Sequence, residues 1–299
     1  MPHLAAHRAV QLAHAVRGAA ALDAVRAMAD RIKIVSQERV SEEFMKILRS
    51  RRPSVGLKLL QEVGLAKYVF PELVDMVGVE QRKDYHHKDV FLHTLKVIDN
   101  ICETTDDVWL RFAALAHDIA KPRTKAFKEG IGWTFHGHED LGARMMKSIF
   151  RRMRLPMDRL AYVEKLVRLH LRPMVLVSEE VTDSAVRRLL FEAGPEIDDL
   201  MKLCRADITS QNSAKVARFL KNYDIVLDKM REVEEKDRLR NWQPPVRGEE
   251  IMQVCALEPG ILVGILKTRI EEAILDGLIP NEHDPALAYL LQIKDQVIA

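Results

Sequence analysis

The 299-residue sequence is poor in cysteine and carries almost no net charge. Its three cysteines, Cys102, Cys204 and Cys255, lie far apart without a C-x-x-C pair, which excludes a disulfide framework and is typical of a reducing compartment. We expect all three in the core. The 46 Lys and Arg residues nearly balance the 44 Asp and Glu residues, leaving a net charge of +2. This balance excludes the global basic field of an obligate nucleic-acid binder, so any contact with RNA must come from local clusters.

Long apolar runs are also absent from the sequence. No segment approaches the roughly 20 apolar residues that span a bilayer, and the N-terminal region lacks the uninterrupted apolar stretch of a signal peptide. We therefore expect a cytoplasmic protein with no membrane partner. The sequence does not indicate an oligomeric state.

Helical periodicity runs through nearly the whole sequence, and most of the 13 glycines and 12 prolines fall between the periodic segments. This pattern predicts an all-α fold, with Ser36 as a candidate N-cap of an early helix. We expect four parts: a loosely periodic N-terminal extension (residues 1–29), a helical body (30–84), a multi-helix domain that carries the chemistry (85–240) and a C-terminal helical segment (241–299).

Four polar side chains interrupt apolar helical segments of the multi-helix domain. His117 and Asp118 end one such segment, His93 lies on the apolar stripe of the preceding helix, and Asp207 is predicted within a later helix. An isolated helical histidine is more often a hydrogen-bonded core residue, so the combination carries the prediction. Burial of these groups is costly unless they are paired or ligated. Two imidazoles and two carboxylates suit a divalent ion that keeps open positions for water or a phosphate oxygen.

The surrounding motifs resemble those of a known superfamily. The sequences HTLKVID, ALAHDIAKP and RADITS are similar to the three motifs of the HD superfamily of metal-dependent phosphohydrolases, over about residues 85 to 221. The resemblance implies that His93, His117, Asp118 and Asp207 bind the metal ion. It also implies a catalytic role for Asp118, since the ion that it holds would activate water and neutralise phosphoryl charge.

Two further histidines extend the expected site. His138 and His170 resemble the additional ligands of binuclear HD proteins, in which the doublet aspartate bridges two ions, so one or two ions are expected. His136 is an alternative ligand, although the spacing to the following Gly-Ala pair favours His138. We expect His86 and His87 at the rim. Histidine and aspartate ligands do not distinguish Mg, Mn, Fe, Co, Ni and Zn.

Basic residues near the motifs are candidates for binding phosphate. Lys121, four residues after His117, is predicted to project toward the mouth of the site and take part in catalysis. The alternative is a solvated lysine that complements the dipole at the helix C-terminus. Arg123 and Arg172 are weaker candidates for the same contact.

The flanking segments resemble a second family. The resemblance is to the RNA-binding body and C-terminal segment of class II tRNA nucleotidyltransferases, the CCA-adding enzymes and bacterial poly(A) polymerases. It is carried by ADRIKIVSQERVSEEFMKIL and by PPVRGEEIMQVCALEPGILVGILKTRIEEAILDGLIPN. The G-S turn and Asp-x-Asp pair of the family's catalytic head are missing from the sequence. We therefore expect that this chain does not polymerise nucleotides by itself.

Local basic clusters are the candidates for RNA contact, and an ordinary solvated face is the alternative. No aromatic-rich platform for single-stranded RNA accompanies either cluster. The first cluster consists of Lys46, Arg49, Arg51 and Arg52, and the second of Arg144, Lys147, Arg151, Arg152 and Arg154.

These features lead to one main hypothesis and two alternatives. The main hypothesis is a metal-dependent phosphohydrolase, a phosphatase or cyclic phosphodiesterase on nucleotides or RNA ends, in tRNA 3′-end processing. Its partners would be tRNA or an RNA 3′ end and nucleotide phosphates. The alternative is a non-catalytic tRNA-binding module with a structural HD metal site. A cyclic-dinucleotide or alarmone hydrolase ranks last, because the sequence lacks the Gly-Tyr-Pro signature of the first and the acidic pair of the second.

Overall fold

The structure, a computed structural model of the chain, describes residues 19–80, 89–178, 182–210, 212–237 and 244–298. Nearly all its regular structure is helical, which confirms the predicted all-α fold class. The helices of the first range are α1 (Ala19–Ala27), α2 (Gln37–Arg49), α3 (Pro53–Glu62), α4 (Ala66–Val69) and α5 (Pro71–Asp75). Those of the second are α6 (Val90–Ile101), α7 (Val108–Ala116), α8 (Lys121–Thr124), α9 (His138–Arg152), α10 (Leu160–Leu169) and α11 (Arg172–Ser178). The later helices are α12 (Asp183–Ala193), α13 (Ile197–Ala206), α14 (Ser213–Asp237), α15 (Gly248–Cys255), α16 (Ile261–Leu275) and α17 (His283–Ile298).

The chain divides into two compact units. The first unit comprises the described residues up to Leu171 together with Asp198–Phe219, and the second comprises Arg172–Ile197 and the described residues from Leu220 onward. The four-part division expected from the sequence stays a prediction. Within the described ranges, no helix combines the length and apolar character needed to cross a lipid bilayer.

An aromatic cluster holds together the core of the first unit. Phe44 of α2 stacks on Phe70 with ring centroids 5.5 Å apart, and Phe70 meets Phe112 of α7 edge-to-face at 6.0 Å. Phe112 in turn contacts Phe150 of α9 at 5.6 Å. All four rings are fully buried. Such pairs favour edge-to-face and offset arrangements, so they fix the helices in register as well as burying apolar area.

Side-chain capping marks the starts of α6 and α7. Asp89 precedes α6 and its side chain accepts a hydrogen bond from the Leu92 backbone N–H at 2.7 Å. Asp107 does the same for α7 through the Trp109 N–H at 2.7 Å. Ser36 occupies the predicted N-cap position of α2 in an extended conformation, but its side chain makes no capping hydrogen bond.

Helix α7 is almost entirely buried and is anchored by an arginine. The Arg111 side chain donates to the backbone carbonyls of Leu48 at 3.0 Å, Ser50 at 3.2 Å and Thr105 at 2.7 Å. Because a buried guanidinium must be paired or hydrogen-bonded, these contacts tie α7 to the end of α2. They also fix the helix that leads directly into His117.

A glycine allows α9 and α10 to approach closely. A Cβ atom at Gly142 of α9 would lie 3.1 Å from Val167 Cγ1 of α10 and 3.5 Å from Ile119 Cγ2. The first distance is shorter than nearly all real Cβ contacts, so a side chain at residue 142 would require Val167 to shift, whereas the second is an ordinary van der Waals contact. The absence of a side chain at residue 142 therefore favours the close approach of the two helices.

The only strands among the described residues form a short hairpin between α8 and α9. Strand β1 (Ala126–Lys128) pairs antiparallel with β2 (Gly132–Thr134), so that Phe127 lies directly opposite Trp133. Gly130 lies in the turn and Gly132 is the first residue of β2. Their φ values, 78° and 98° respectively, favour glycine.

The second unit is held together by charged hydrogen bonds and by its own apolar core. Arg188 of α12 donates to the carboxylates of Glu272 and Asp276 on α16, and these charge-assisted hydrogen bonds join the two helices. The core of α15 to α17 and the segment before them consists of Val246, Ile251, Leu266, Ile270, Ile274, Ala286, Leu290 and Ile293.

The prediction that all three cysteines lie in the core is wrong for two of them. Cys204 is buried, whereas Cys102 and Cys255 are partly exposed, and all three are free thiols. The reason is position along the helix. Cys102 follows the last residue of α6 and Cys255 is the last residue of α15, where a helix end meets solvent.

Candidate metal centre

Six side chains that can bind a metal ion lie together in the first unit. They form two groups, in each of which the candidate ligand atoms are within 4.8 Å of one another. The first group is His93, His117 and Asp207, and the second is Asp118, His138 and His170. All six are residues that the sequence predicts as ligands.

Asp118 joins the two groups. Its Oδ2 atom lies 3.4 Å from His93 Nε2 and 3.3 Å from His117 Nε2, while its Oδ1 atom lies 3.3 Å from His138 Nε2 and 3.8 Å from His170 Nε2. Each carboxylate oxygen thus faces one group. Asp207 belongs to the first group alone, with Oδ1 2.8 Å from His93 Nε2.

Helix ends bring these side chains together. His117 follows the last residue of α7, and His170 follows the last residue of α10. His138 begins α9 directly after Gly137, whose φ of 75° turns the chain into the helix. Periodicity predicts Asp207 within a helix, whereas α13 ends at Ala206 and Asp207 lies one residue beyond it.

Backbone carbonyls orient three of the imidazole rings in the same way. The Nδ1 atoms of His117, His138 and His170 each lie 2.7 to 2.8 Å from the carbonyl oxygen of the residue three positions earlier. A carbonyl only accepts, so Nδ1 carries the proton in each ring. The hydrogen bond therefore leaves Nε2 facing the centre, which is the arrangement that metal-ligating histidines adopt.

Two features of the centre are ones that a bound cation would satisfy. His138 Nε2 lies 3.3 Å from His170 Nε2, so two lone pairs face each other unless a cation lies between them. His117 Nε2 is fully buried and makes no hydrogen bond to any described residue. Buried polar atoms are ordinarily satisfied, and a ligated ion satisfies both contacts. The buried His and Asp cluster therefore suits a divalent metal ion.

Electrostatic interactions make the centre attractive to positive charge. Burial by itself lowers the pKa of His117, but the carboxylates of Asp118 and Asp207 outweigh burial and raise that pKa to about 10. Burial favours the neutral form of both carboxyl groups, yet the His117 charge, aided by Lys121 at Asp118, holds their pKa values well below the usual range. Burial, then the His117 charge, lowers the pKa of His170 to about 3.

Two residues that position candidate ligands were not predicted from the sequence. Thr209 Oγ1 lies 3.0 Å from His93 Nδ1 and so fixes the ring from the side opposite Asp207. Asn100 donates to the Ala206 carbonyl at 2.8 Å, which ties α6 to the end of α13 just before Asp207. Thr209 lies inside the RADITS motif, so the motif itself contained a signal for it. Asn100 has no comparable signal.

The other candidate site residues differ in how close they lie to the metal centre. Lys121 Nζ lies 2.7 Å from Asp118 Oδ2, and its side chain is 14% exposed, so it reaches both the centre and its rim. His136 and Arg123 are exposed and belong to neither ligand group. Arg172 lies in the second unit, 3.5 Å from Glu192. His86 and His87 lie outside the described residues.

Each basic cluster contains both paired and unpaired charges. In the first, Lys46 lies 2.7 Å from Glu43 and Arg52 lies 3.9 Å from Asp99, whereas the exposed Arg49 and Arg51 have no carboxylate of a described residue within 4 Å. In the second cluster, Arg152 makes two hydrogen bonds to the buried Glu72 carboxylate at 2.8 and 2.6 Å. Arg152 is therefore a weaker candidate for RNA contact than its neighbours, because its charge already compensates a buried acid.

Two family models match consecutive stretches of the chain. Residues 19–76 match the family described as the probable RNA and SrmB-binding site of polymerase A. Residues 90–212 match the HD domain, a range that includes all six candidate ligands.

The chain is similar to proteins named as tRNA nucleotidyltransferases and as multifunctional CCA proteins. A CC-adding tRNA nucleotidyltransferase of Thermus thermophilus is 33% identical over 261 residues, which cover 86% of this chain and 56% of that protein. An A-adding tRNA nucleotidyltransferase of Deinococcus radiodurans is 30% identical over 251 residues, covering 82% and 56%. A multifunctional CCA protein of Dechloromonas aromatica is 37% identical over 122 residues, covering 40% and 29%.

These comparisons confirm the resemblance seen in the motifs. The chain spans 56% of the length of the first two relatives, so the similarity concerns that part of them alone. The chain carries an HD domain beside a polymerase A-type RNA-binding segment, and it is homologous to tRNA nucleotidyltransferases over this region.

Proposed function

We propose that the chain is a metal-dependent phosphohydrolase, a phosphatase or cyclic phosphodiesterase that acts on nucleotides or RNA ends in tRNA 3′-end processing. One observation carries the proposal: the two oxygens of a single buried carboxylate, Asp118, face two separate groups of ligand atoms. The match of residues 90–212 to the HD domain supports it.

The six side chains would hold one or two divalent ions. His93, His117 and Asp207 suit one position, His138 and His170 suit another, and Asp118 is shared between them. An ion there would act as a Lewis acid, activating water and neutralising charge on the phosphoryl oxygens. The donors are compatible with Mg, Mn, Fe, Co, Ni or Zn.

Lys121 is assigned the role of binding a phosphoryl oxygen. Its ammonium group lies beside Asp118 at the partly exposed edge of the centre, where a phosphate would arrive from solvent. It therefore has the position and the charge to orient the substrate. The exposed Arg123, two residues later, is proposed to contact a more distant phosphate.

The proposed partner is tRNA, because the similar proteins are named as tRNA nucleotidyltransferases and residues 19–76 match an RNA-binding family. Arg49, Arg51 and Arg52, at the end of α2 and just after it, are proposed to bind backbone phosphates. Such contacts release counterions, so binding should weaken steeply as salt concentration rises. Arg172 is proposed as a further phosphate contact.

Metal-dependent turnover tests the proposal. The metal-stripped protein is assayed on 2′,3′-cyclic AMP, a nucleoside monophosphate and a generic phosphodiester, with Mg, Mn, Ni or Co added back. Asp118→Asn should lower turnover at least about 10²-fold, because it removes charge from the shared ligand. Asp158→Asn makes the same change at a carboxylate that is 72% exposed, and should retain wild-type turnover. Full activity of Asp118→Asn would overturn the mechanism.

A non-catalytic tRNA-binding module is the second candidate function, favoured by the RNA-binding match and the exposed Arg49 and Arg51. It predicts silence in every turnover assay, together with tRNA binding and an increase in Tm when metal is added. Salt-dependent tRNA binding that is lost in Arg49→Gln/Arg51→Gln, without hydrolysis, would favour this function over the phosphohydrolase.

A further inference from the structure

The hairpin between the His117-Asp118 doublet and His138 presents an aromatic pair to solvent. Phe127 is 57% exposed and Trp133 is 37% exposed. The two residues lie directly opposite each other on the two strands, and their rings meet edge-to-face with centroids 5.3 Å apart. Directly opposite residues lie on one face of a hairpin, so both rings belong to the same surface. We call it the Phe127–Trp133 face.

One lysine contacts this face, and three more basic residues lie in the same segment of the sequence. The segment from residue 121 to 135 contains four basic residues and one acidic residue, Glu129. Lys125 Nζ lies 4.2 Å from the centroid of the Trp133 ring, in a cation–π contact. The four basic residues are Lys121, Arg123, Lys125 and Lys128.

Direct contacts link the hairpin to the metal centre. Lys121 Nζ lies 2.7 Å from Asp118 Oδ2 and also 5.7 Å from the ring centroid of Phe135, the residue that follows β2. The Phe135 carbonyl in turn accepts the hydrogen bond that orients His138. Lys121 precedes the hairpin and Phe135 follows it, and they contact the candidate ligands Asp118 and His138, respectively.

Exposed aromatic rings beside cations match the chemistry of a nucleotide. Aromatic side chains stack on any base, because every base has a π face, while lysine and arginine neutralise the phosphates. Neither basic cluster recognised in the sequence contains an aromatic residue, whereas this hairpin combines both features.

We propose that the Phe127–Trp133 face stacks on the base of an RNA 3′-terminal nucleotide whose phosphate lies at the metal centre. This inference rests on the proposed phosphohydrolase function, because that function places the terminal phosphate there. It specifies the substrate class as unpaired RNA 3′ ends. A phosphate ester without a base would lose this contact and bind more weakly.

The surface favours a nucleotide over an apolar protein partner. Its apolar part consists of the two rings and Ile131 at the turn, which is 66% exposed; Lys125 contacts it, and three further basic residues lie in the same segment of the sequence. A base needs one ring face, and the flanking cations complement the phosphate that a nucleotide brings. An apolar protein partner would have to desolvate those cations without compensation.

Binding is measured first without turnover. The probe is a short single-stranded RNA with 2-aminopurine as its 3′-terminal base, titrated with the full chain in EDTA, and stacking is detected as quenching of the probe fluorescence. Trp133→Leu should weaken binding about tenfold and abolish the quenching, since base–aromatic stacking contributes on this scale. Trp133→Phe keeps a ring at the position and should retain most of both.

Two controls separate stacking from general effects. Ile131→Ala removes apolar surface from the same turn without removing a ring, so it should keep the quenching and weaken binding less than Trp133→Leu does. An RNA with an abasic 3′ terminus should bind the wild type and Trp133→Leu equally. Unchanged quenching in Trp133→Leu, or equal weakening by Ile131→Ala, would overturn the inference.

Turnover then distinguishes this inference from the proposed function. The same RNA with a 2′,3′-cyclic phosphate is assayed with metal added, and Trp133→Leu should raise KM with little change in kcat. Stacking without turnover in any metal would refute the phosphohydrolase and leave base binding standing. Turnover with a KM that Trp133→Leu does not change would refute base binding alone. Loss of self-association in Trp133→Leu, with RNA binding unchanged, would assign the face to a second copy of the chain.

Discussion

The Nε2 atoms of His138 and His170 lie 3.3 Å apart although each ring already donates its Nδ1 proton to a backbone carbonyl. Two neutral imidazoles held in this way direct lone pairs at each other. The helix that begins at His138 and the helix that ends before His170 also approach closely at Gly142 and Val167. A cation shared with Asp118 Oδ1 would turn the repulsion into coordination.

Removal of either histidine should therefore weaken metal binding. His138→Ala and His170→Ala are each expected to lower the affinity for Mn or Ni by more than the roughly 10–100-fold typical of losing an outer-shell partner. Isothermal titration of the metal-stripped protein measures the change. His136→Ala is the matched control, because His136 is exposed and belongs to neither ligand group. Equal losses at His136 and His138 would contradict the assignment.

Metal binding should release a proton at neutral pH. Asp118 and Asp207 raise the pKa of His117 to about 10, so the metal-free centre holds a proton that a metal ion must displace. If one proton is released, the affinity for the metal ion should therefore fall about tenfold for every unit by which the pH decreases below 10. Each further proton released adds another factor of about ten per pH unit. Titrations at pH 7 in two buffers with different heats of ionisation count the protons. A result of zero protons would contradict this prediction.

The same pKa shift affects the stability of the metal-free protein in a defined direction. The pKa of His117 is higher in the folded state than the ordinary value of 6.5. Its contribution to stability is thus fully present below pH 6.5 and is lost as pH rises through about 10. His117→Gln should remove this pH dependence, which urea unfolding in EDTA at pH 7 and pH 10 would measure.

The sequence was sufficient to identify the candidate ligands that the fold brings together, because several of them interrupt a local pattern. His93, His117 and Asp118 replace apolar residues at positions that helical periodicity places in the core, and such substitutions are costly without a compensating role. The motifs then indicated the remaining candidates by resemblance. The helical fold class followed from the same periodicity.

The sequence was not sufficient to predict contacts between distant segments. The Arg152–Glu72 pair joins residues 80 positions apart, and the local sequence around either residue does not indicate its partner. The exposed pair Phe127 and Trp133 depends on strand register, which a three-residue strand specifies weakly. Such features become visible only when the chain is folded.

Lys121 is expected to contribute to phosphate binding without holding the metal. Lys121→Met should lower kcat/KM by about 10-fold or more while metal content stays at the wild-type level, because a charge-assisted hydrogen bond is lost. Lys121→Arg keeps the charge and should recover part of the activity. Lys96→Met, an exposed lysine one turn after His93 on α6, is the control. Loss of metal in Lys121→Met would assign the residue a structural role instead.

The close approach at Gly142 is expected to set the geometry of the metal centre. Gly142→Val would place atoms into the 3.1 Å contact with Val167 and push α9 away from α10, the helices that carry His138 and lead to His170. We expect a destabilisation of about 1–3 kcal/mol, typical of overpacking, and weaker metal binding by the same variant. Urea unfolding and metal titration measure the two effects.

Gly264 supplies the control for this change. It lies within α16, and a Cβ atom at this position would meet no heavy atom of the described residues within 4 Å, so Gly264→Ala extends into open space. Because alanine restricts the unfolded chain more than glycine, this variant should gain about 0.4–1 kcal/mol and bind metal normally. If Gly142→Val bound metal as tightly as Gly264→Ala, the separation of α9 and α10 would not be what brings His138 and His170 together.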